Sequence, residues 1–220
     1  MTFTGWPDAA IEFYVGIEAD NSKAFWLAHK PTYDECVKAP FLELSALIEK
    51  EFGPLHVFRP NRDTRFSKDK SPYKTAAAAV TESQGGAAYY VQVSAEGLYV
   101  GSGYYHLESD QLQRFRAAVA DNRTGPRLAT AVDALRKQKY SVDARESLKR
   151  VPRGIDPEHP RGELLRMKGM HVGRTFGAPR WLHTAAASDR ILTTWRAAAP
   201  VNTWLDRHVG PSRLAPPEPD

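Results

Sequence analysis

Two strand patterns joined by a glycine-containing turn constrain the fold of this 220-residue chain more than any other feature. Residues 89–93 and 98–105 are rich in tyrosine and valine, as is typical of β-strands. The residues between them, Ala95, Glu96 and Gly97, match a hairpin connection. Because a hairpin pairs its strands in opposite directions, the sequence predicts an antiparallel sheet. Gly101 and Gly103 inside the second strand indicate a bulge or a close approach of another group to the backbone.

Apolar residues at steps of three and four predict helices on both sides of this hairpin. Residues 188–205 are expected to form the last of them, capped by Ser188. We expect Asp20 or Asn21 to cap an early helix, and Pro40 to kink or break a longer one that ends at Gly53. The remaining predicted helices lie at residues 7–17, 31–52, 108–120 and 126–138.

The helices and strands together predict the fold class and the domain organisation. The fold is expected to be α+β, with a mainly antiparallel sheet and helices packed around it. Short strands at residues 55–58 and 76–80 would add to the hairpin. We predict a single domain over residues 1–210 and a proline-rich, disordered tail over residues 211–220.

The excess positive charge of the chain is concentrated in one stretch, residues 59–75. This basic segment carries a net charge of +4, equal to that of the whole protein. Several cations in one loop create a potential that a phosphate or carboxylate can relieve. Ser71-Pro72 restricts the backbone, and the aromatic residues Phe66 and Tyr73 indicate that the loop is packed down. The charged residues of the segment are Arg59, Arg62, Asp63, Arg65, Lys68, Asp69, Lys70 and Lys74.

A second basic segment, residues 148–160, leads to the hypothesis of a shared pocket. If the two segments meet, they would bind a phosphorylated or carboxylated small molecule, possibly a nucleotide, with arginine holding the oxyanion in a bidentate manner. In this hypothesis Arg65, Lys70 and Lys74 face Lys149, Arg150 and Arg153. The predicted ligand-binding residues are Arg62, Arg65, Lys68, Lys70, Tyr73, Lys74, Arg150, Arg153, Arg166 and Lys168.

The sequence does not decide whether such a protein is an enzyme. An acid–base residue would have to be His159, in the second basic segment, or Asp69, in the first. The histidines offer no metal-ligand spacing, and we predict neither a metal nor a cofactor. Cys36 lies on the apolar stripe of a predicted helix, which indicates a core thiol and not a nucleophile.

Two other classes of function compete with the pocket. In the first, the basic segment is an internal ion-pair network, which requires Arg65 to be buried. In the second, basic residues and tyrosines bind single-stranded nucleic acid, although neighbouring tyrosines on a strand point to opposite faces. The tyrosines in question are Tyr89, Tyr90, Tyr99, Tyr104 and Tyr105.

Composition also indicates where the protein works. A single cysteine excludes an internal disulfide and favours a reducing compartment, so we expect a cytoplasmic protein. No apolar run reaches the roughly 20 residues that a membrane span needs, and no membrane association is predicted.

Four motifs resemble an uncharacterised protein family, DUF2461. They are NRDTRFSKDKSPYKT at residues 61–75, LKRVPRGIDPEHP at 148–160, GSGYY at 101–105 and NSKAFWLAHK at 21–30. Ser102 stands where the family more often has the middle one of three glycines. The resemblance covers about residues 3–208 and implies a compact, intracellular α+β domain. It implies no activity and no catalytic role for any residue.

Overall fold

The computed structural model describes residues 2–65, 67–82 and 86–214, with only the backbone described at position 82. Its helices are α1 (Asp8–Ala19), α2 (Lys23–Thr32), α3 (Ala39–Phe52), α4 (Ser109–Ala120), α5 (Gly125–Lys137), α6 (Gly162–Arg166) and α7 (Ala186–His208). The strands are β1 (His56–Val57), β2 (Ala76–Glu82), β3 (Ala88–Ser94), β4 (Gly97–Tyr104), β5 (Ser141–Asp143) and β6 (Met170–Gly177). A π-helical segment, Tyr33–Lys38, joins α2 to α3, and a 3-10 turn, Arg180–His183, precedes α7.

The predicted fold class is confirmed. Within the described residues, the strands form a six-stranded antiparallel sheet in the order β1-β2-β3-β4-β6-β5, with helices around it. The predicted hairpin is its centre, because β3 and β4 are neighbours joined at Ala95 and Glu96. Gly103 has a φ of +136°, and a side chain there would strike the backbone at Met170. The expected close approach in this strand is therefore present.

The chain divides into two compact units. The first unit comprises Met1–Thr81, Tyr89–Val100 and Thr175–Thr194, and the second comprises Glu82–Ala88, Gly101–Arg174 and Trp195–Asp220. The expectation of a single domain over residues 1–210 stays a prediction.

Packed aromatic rings hold the helices of the first unit together. Trp6 is fully buried and meets Phe41 edge to face at 4.9 Å between ring centroids. Phe13 of α1 contacts both Trp26 and Tyr33 at 5.7 Å. Such pairs prefer tilted and edge-to-face geometry because the ring edge is positive and the face negative. Most aromatic residues of the first thirty positions are thus core residues of this unit: Phe3, Trp6, Phe13, Tyr14 and Trp26.

The long helix does not break at Pro40; of the kink or break that the sequence predicted, the break is wrong and the kink stays a prediction. The helical chain runs without interruption from α2 through the π-helical segment into α3, and Pro40 lies in the first turn of α3. The Ala39 N–H donates to the carbonyl of Asp34, five residues back, which is the wider π-type bond. A proline ring normally clashes with the carbonyl one turn earlier, and the wider turn relieves that clash. The helix ends at Gly53, with φ +80°, as expected.

The buried Ser102 hydroxyl forms two hydrogen bonds within the second unit. The Ser102 hydroxyl donates to the Ala88 carbonyl at 2.9 Å and accepts from the Asn202 amide at 2.6 Å. The Trp195 indole donates to the Gly101 carbonyl at 3.1 Å. Ser102, in the middle of its Gly-Ser-Gly motif, therefore ties β4 to α7 through a hydroxyl that glycine would lack.

Arg161 closes the carboxyl end of α4, and the sequence prediction missed it. Its side chain is buried, with 8% exposure, and donates to the carbonyls of Val119 at 2.6 Å and Ala120 at 2.9 Å. It also reaches the Asn122 side chain at 3.0 Å. A helix ends with carbonyls that lack partners and with a partial negative charge, and a guanidinium satisfies both. A Cβ at Gly125 would come within 2.5 Å of the guanidinium, so glycine makes room for it.

Hydrogen bonds define the first turn of α7 and the residues that open the predicted tail. α7 begins at Ala186, before Ser188, whose hydroxyl donates back to the Ala185 carbonyl; Ser188 is therefore not the cap that the sequence predicted. The residues that open the predicted tail make contacts, since Asp110 accepts hydrogen bonds from the Ser212 hydroxyl and the Arg213 N–H, both at 2.8 Å. Residues 215–220 of that tail lie outside the described residues, as does Gly85 at a predicted turn.

Candidate functional site

The basic segment is a closed loop in the first unit. Its ends pair in an antiparallel bridge between Asn61 and Tyr73. The Arg62 N–H donates to the Pro72 carbonyl at 2.9 Å, and the Lys74 N–H donates to the Pro60 carbonyl at 2.8 Å. The two strands of this base fix where Arg62 and Lys74 leave the backbone, which is the preorganisation that a binding site needs.

Tyr73 anchors the loop through its ring and its backbone. Its ring stacks on Trp26 at 4.4 Å with an interplanar angle of 11°, and the residue is 7% exposed. Asn21 accepts from its N–H and donates to its carbonyl, both at 3.0 Å. The predicted ligand-binding role of Tyr73 is therefore not supported, because its ring face is occupied. Asn21 is not the predicted cap either, since Ser22 caps α2 through the Phe25 N–H.

Inside the loop, the acidic residues pair locally with their basic neighbours. Arg65 bonds Asp63 through Nη2 at 2.9 Å and is exposed, with 76% of its side chain accessible. Exposed pairs of this kind contribute little to stability. The buried arginine that an internal ion-pair network requires is therefore not present at this position. Lys70 donates to the Thr64 carbonyl at 2.9 Å, and Lys68 is exposed.

The neighbours of Asp69 hold it in its ionised form near neutral pH. Hydrogen bonds from the Ser71 hydroxyl and N–H, and then from Arg62, lower the pKa of Asp69 to about 2. A general base works best with a pKa near the working pH. The pKa of Asp63 is also lowered to about 2, and the largest cause is the hydrogen bond from the Arg65 side chain. Both carboxylates orient the basic side chains of the loop, as structural counterions do.

A cleft opens beside the loop, against the face of β2 and β3. Its volume is about 420 Å³. Arg62 and Lys74 supply its cationic groups, and among the described residues no carboxylate lines it. Small side chains from β2 and polar or aromatic side chains from β3 and the end of β1 complete the wall. The lining residues are Phe58, Arg62, Lys74, Thr75, Ala76, Ala78, Tyr90 and Gln92.

Lys74 is the least compensated cation in this cleft. Its Nζ lies 5.4 Å from the centre of the Phe58 ring, and within residues 2–65, 67–82 and 86–214 it forms no ion pair. Burial, followed by the charge of Arg59, lowers the pKa of Lys74 from its ordinary value of 10.5. An ammonium held among cations, without a carboxylate, gains stability from any anion that enters.

The second basic segment lies in the other unit, and its contacts are local. Leu148 donates its N–H to the Arg166 carbonyl at 2.8 Å, and Lys168 pairs with Glu146 at 3.0 Å. Lys149, Arg150 and Arg153 are exposed. The meeting of the two segments stays a prediction, as do the ligand-binding roles of Arg150, Arg153, Arg166 and Lys168.

His159 is a turn residue. Its Nδ1 accepts the Arg161 N–H at 3.1 Å, and its own N–H donates to the Asp156 carbonyl at 3.0 Å. One ring nitrogen is therefore engaged by the backbone of the turn that presents Arg161. This arrangement gives His159 a local structural role, and it does not support the predicted acid–base role.

The remaining sequence predictions concern Cys36, metal binding, membrane spans and Phe66. Cys36 is half-buried, and burial, followed by the charge of Glu35, raises the pKa of its thiol, which opposes nucleophilic reactivity. Among the described residues, no three or more side chains of the metal-ligating types lie together. No helix in that same part of the chain is long and apolar enough to cross a bilayer. Phe66, expected from the sequence to pack the basic segment down, lies outside the described residues.

The sequence motifs and a family model indicate the same family. The model of the DUF2461 family, described as a conserved hypothetical protein, matches residues 9–204. The chain therefore belongs to this family, as its four motifs indicated. No curated protein matches the chain.

The uncharged residues of the cleft were not predicted as part of an anion pocket, although a sequence signal for them exists. Tyr90 and Gln92 are two apart on β3, so they share a face, and Ala76 and Ala78 share the matching face of β2. Phe58 directly follows β1. Pairing these alternations across the predicted sheet would have placed the five side chains beside the basic segment.

Proposed function

We propose that the protein binds a small molecule carrying a phosphate or a carboxylate in the cleft beside the basic segment. The observation that carries this proposal is Lys74, a cation with no ion-pair partner within the described residues, set in a cleft without carboxylates. Arg62 lines the same cleft. The hydrogen bond from Arg62 to Asp69 leaves other guanidinium donors of Arg62 for an oxyanion. The single cysteine supports a cytoplasmic site of action.

Lys74→Met tests this proposal. We expect the affinity for sulfate, phosphate and small carboxylates to fall about tenfold, since a charge-assisted contact contributes about 1.5 kcal/mol or more. The melting temperature without ligand should not fall. Because the folded state lowers the pKa of Lys74, its protonated form carries a penalty at neutral pH, and methionine removes that penalty.

The matched control is Lys50→Met, which removes the same charge from an exposed position on α3 of the same unit. Titration calorimetry gives the affinities, and a thermal melt gives the stabilities. Equal losses of affinity in the two variants would show that net charge alone attracts the anion, and would refute the cleft as its site.

The pH dependence of sulfate binding supplies an independent test. Sulfate keeps its charge from weakly acidic to alkaline pH, so a change in its affinity over that range reports on the protein. We expect the affinity to decline at alkaline pH, beginning below the ordinary lysine pKa of 10.5, because Lys74 loses its proton earlier than a free lysine. The Lys74→Met protein should lack this decline; a decline of equal size in both proteins would assign it to other groups.

A further inference from the structure

The cleft has two chemically different ends. Arg62 and Lys74 form a cationic end at the base of the loop. Tyr90 and Gln92 of β3 form the other end, which carries no charge. A bare oxyanion would use only the first of these. We therefore expect the uncharged end to bind a second, uncharged part of the same ligand.

Tyr90 fixes the orientation of the Gln92 amide. The Tyr90 hydroxyl donates to Gln92 Oε1 at 2.7 Å. With its oxygen accepting, the amide presents its NH₂ group as a donor, and this nitrogen makes no hydrogen bond within the described part of the chain. An amide donor in a ligand site pairs with an acceptor such as a ring nitrogen or a ring carbonyl.

Two small side chains of β2 help to keep the cleft open. Ala76 and Ala78 of β2 line the cleft, and they are the smallest side chains a strand can present apart from glycine. The cleft volume of about 420 Å³ lies in the range of roughly 300–1,000 Å³ that drug-sized ligands occupy. A single phosphate would leave most of this volume unfilled.

We infer that the ligand joins its anionic group to a planar ring bearing a hydrogen-bond acceptor, as a nucleoside monophosphate does. This inference rests on the proposed function. The anionic group binds Arg62 and Lys74, the ring lies along Ala76 and Ala78, and its acceptor receives the Gln92 amide. Tyr90 acts through Gln92 and is a positioning residue.

Four probes separate the two halves of the ligand: adenosine monophosphate, uridine monophosphate, ribose phosphate and adenosine. In the wild-type protein, at least one of the two nucleoside monophosphates should bind about tenfold or more tightly than ribose phosphate, which lacks the ring. In Gln92→Met, which keeps the length of the side chain and removes the donor, this preference should shrink to less than about threefold. Ribose phosphate itself should bind equally to both proteins.

Two further variants complete the experiment. Ala76→Ile fills part of the cleft without changing its charge, so it should weaken nucleotide binding. Because isoleucine favours β-strands, the melting temperature should be kept. Gln113→Met, at an exposed position on α4, is the matched control for Gln92→Met and should leave all affinities unchanged.

The failures of the two proposals are distinguishable. If ribose phosphate and both nucleotides bind equally, or if Gln92→Met keeps the full preference, the inference about the ring is overturned and the anion site stands. If phosphate binds but neither nucleotide does, the inference about the ring is likewise overturned and the anion site stands. If Lys74→Met binds every probe as the wild type does, the proposed function itself fails.

Discussion

Arg161→Met is expected to lower the free energy of unfolding by about 3 kcal/mol, the largest effect that we predict for a single substitution. The buried guanidinium donates to the Val119 and Ala120 carbonyls and to Asn122 at the carboxyl end of α4. Methionine keeps most of the volume and removes every donor. The helix then ends in buried carbonyls without partners, each of which costs about 1–3 kcal/mol. Urea denaturation followed by circular dichroism measures the loss.

Two control variants locate the cause of this effect. Arg127→Met removes an exposed arginine from α5 and should change stability by less than about 0.5 kcal/mol. Arg161→Lys keeps the charge but cannot reach several acceptors at once, so it should fall between the wild type and Arg161→Met. A lysine variant as stable as the wild type would mean that charge alone matters, and would contradict the hydrogen-bonded cap.

Asn21→Asp is expected to destabilise the first unit by about 2 kcal/mol and to weaken anion binding with it. The Asn21 side chain donates to the Tyr73 carbonyl and accepts from the Tyr73 N–H. Aspartate has the same shape but no donor, and it sets a negative charge against the carbonyl oxygen. The loop base that positions Arg62 and Lys74 should therefore loosen. Thermal melts and sulfate titration of the same protein measure the two effects together.

The aspartate variant also separates two roles for Asn21. As helix N-caps, asparagine and aspartate are about equally good, so a capping residue would tolerate the change. Asn21→Ala should affect melting and binding at least as much as Asn21→Asp, because it removes both hydrogen bonds. Wild-type stability and affinity in the aspartate protein would exclude the anchor that the structure assigns to Asn21.

Much of the fold could be predicted because its signals are local. The hairpin, the helices at α1, α4 and α5, and the end of α3 at Gly53 each follow from spacing or from a residue with special backbone freedom. The break at Pro40 could not be judged from the sequence, because the proline clash depends on the width of the preceding turn, which is of the π type here. Arg161 was missed for a similar reason. Its acceptors lie about forty residues away in the sequence, and no local pattern indicates them.

The candidate site was predicted in part. Arg62 and Lys74 were selected for their charge and do line the cleft. Charge could not show that Arg65 would pair with Asp63 outside it, because neighbouring residues can turn to either side of a loop. Tyr73 was chosen as an aromatic residue within a charged run, but the same feature describes an anchor. Only the position of Trp26, far away in sequence, distinguishes the two roles.

The alanines under the cleft have a consequence for how ligands of different shape compete. Binding usually freezes side chains that could rotate before, and each long side chain immobilised costs about 0.5–1.5 kcal/mol. Alanine has no side-chain rotamers to lose, so Ala76 and Ala78 can be covered at no such entropic cost. Differences in affinity among ligands that fit should then arise from the side chains that can still move, above all Lys74. Ala76 and Ala78 therefore do not distinguish one ring from another. Selectivity among ligands depends on the other side chains that line the cleft.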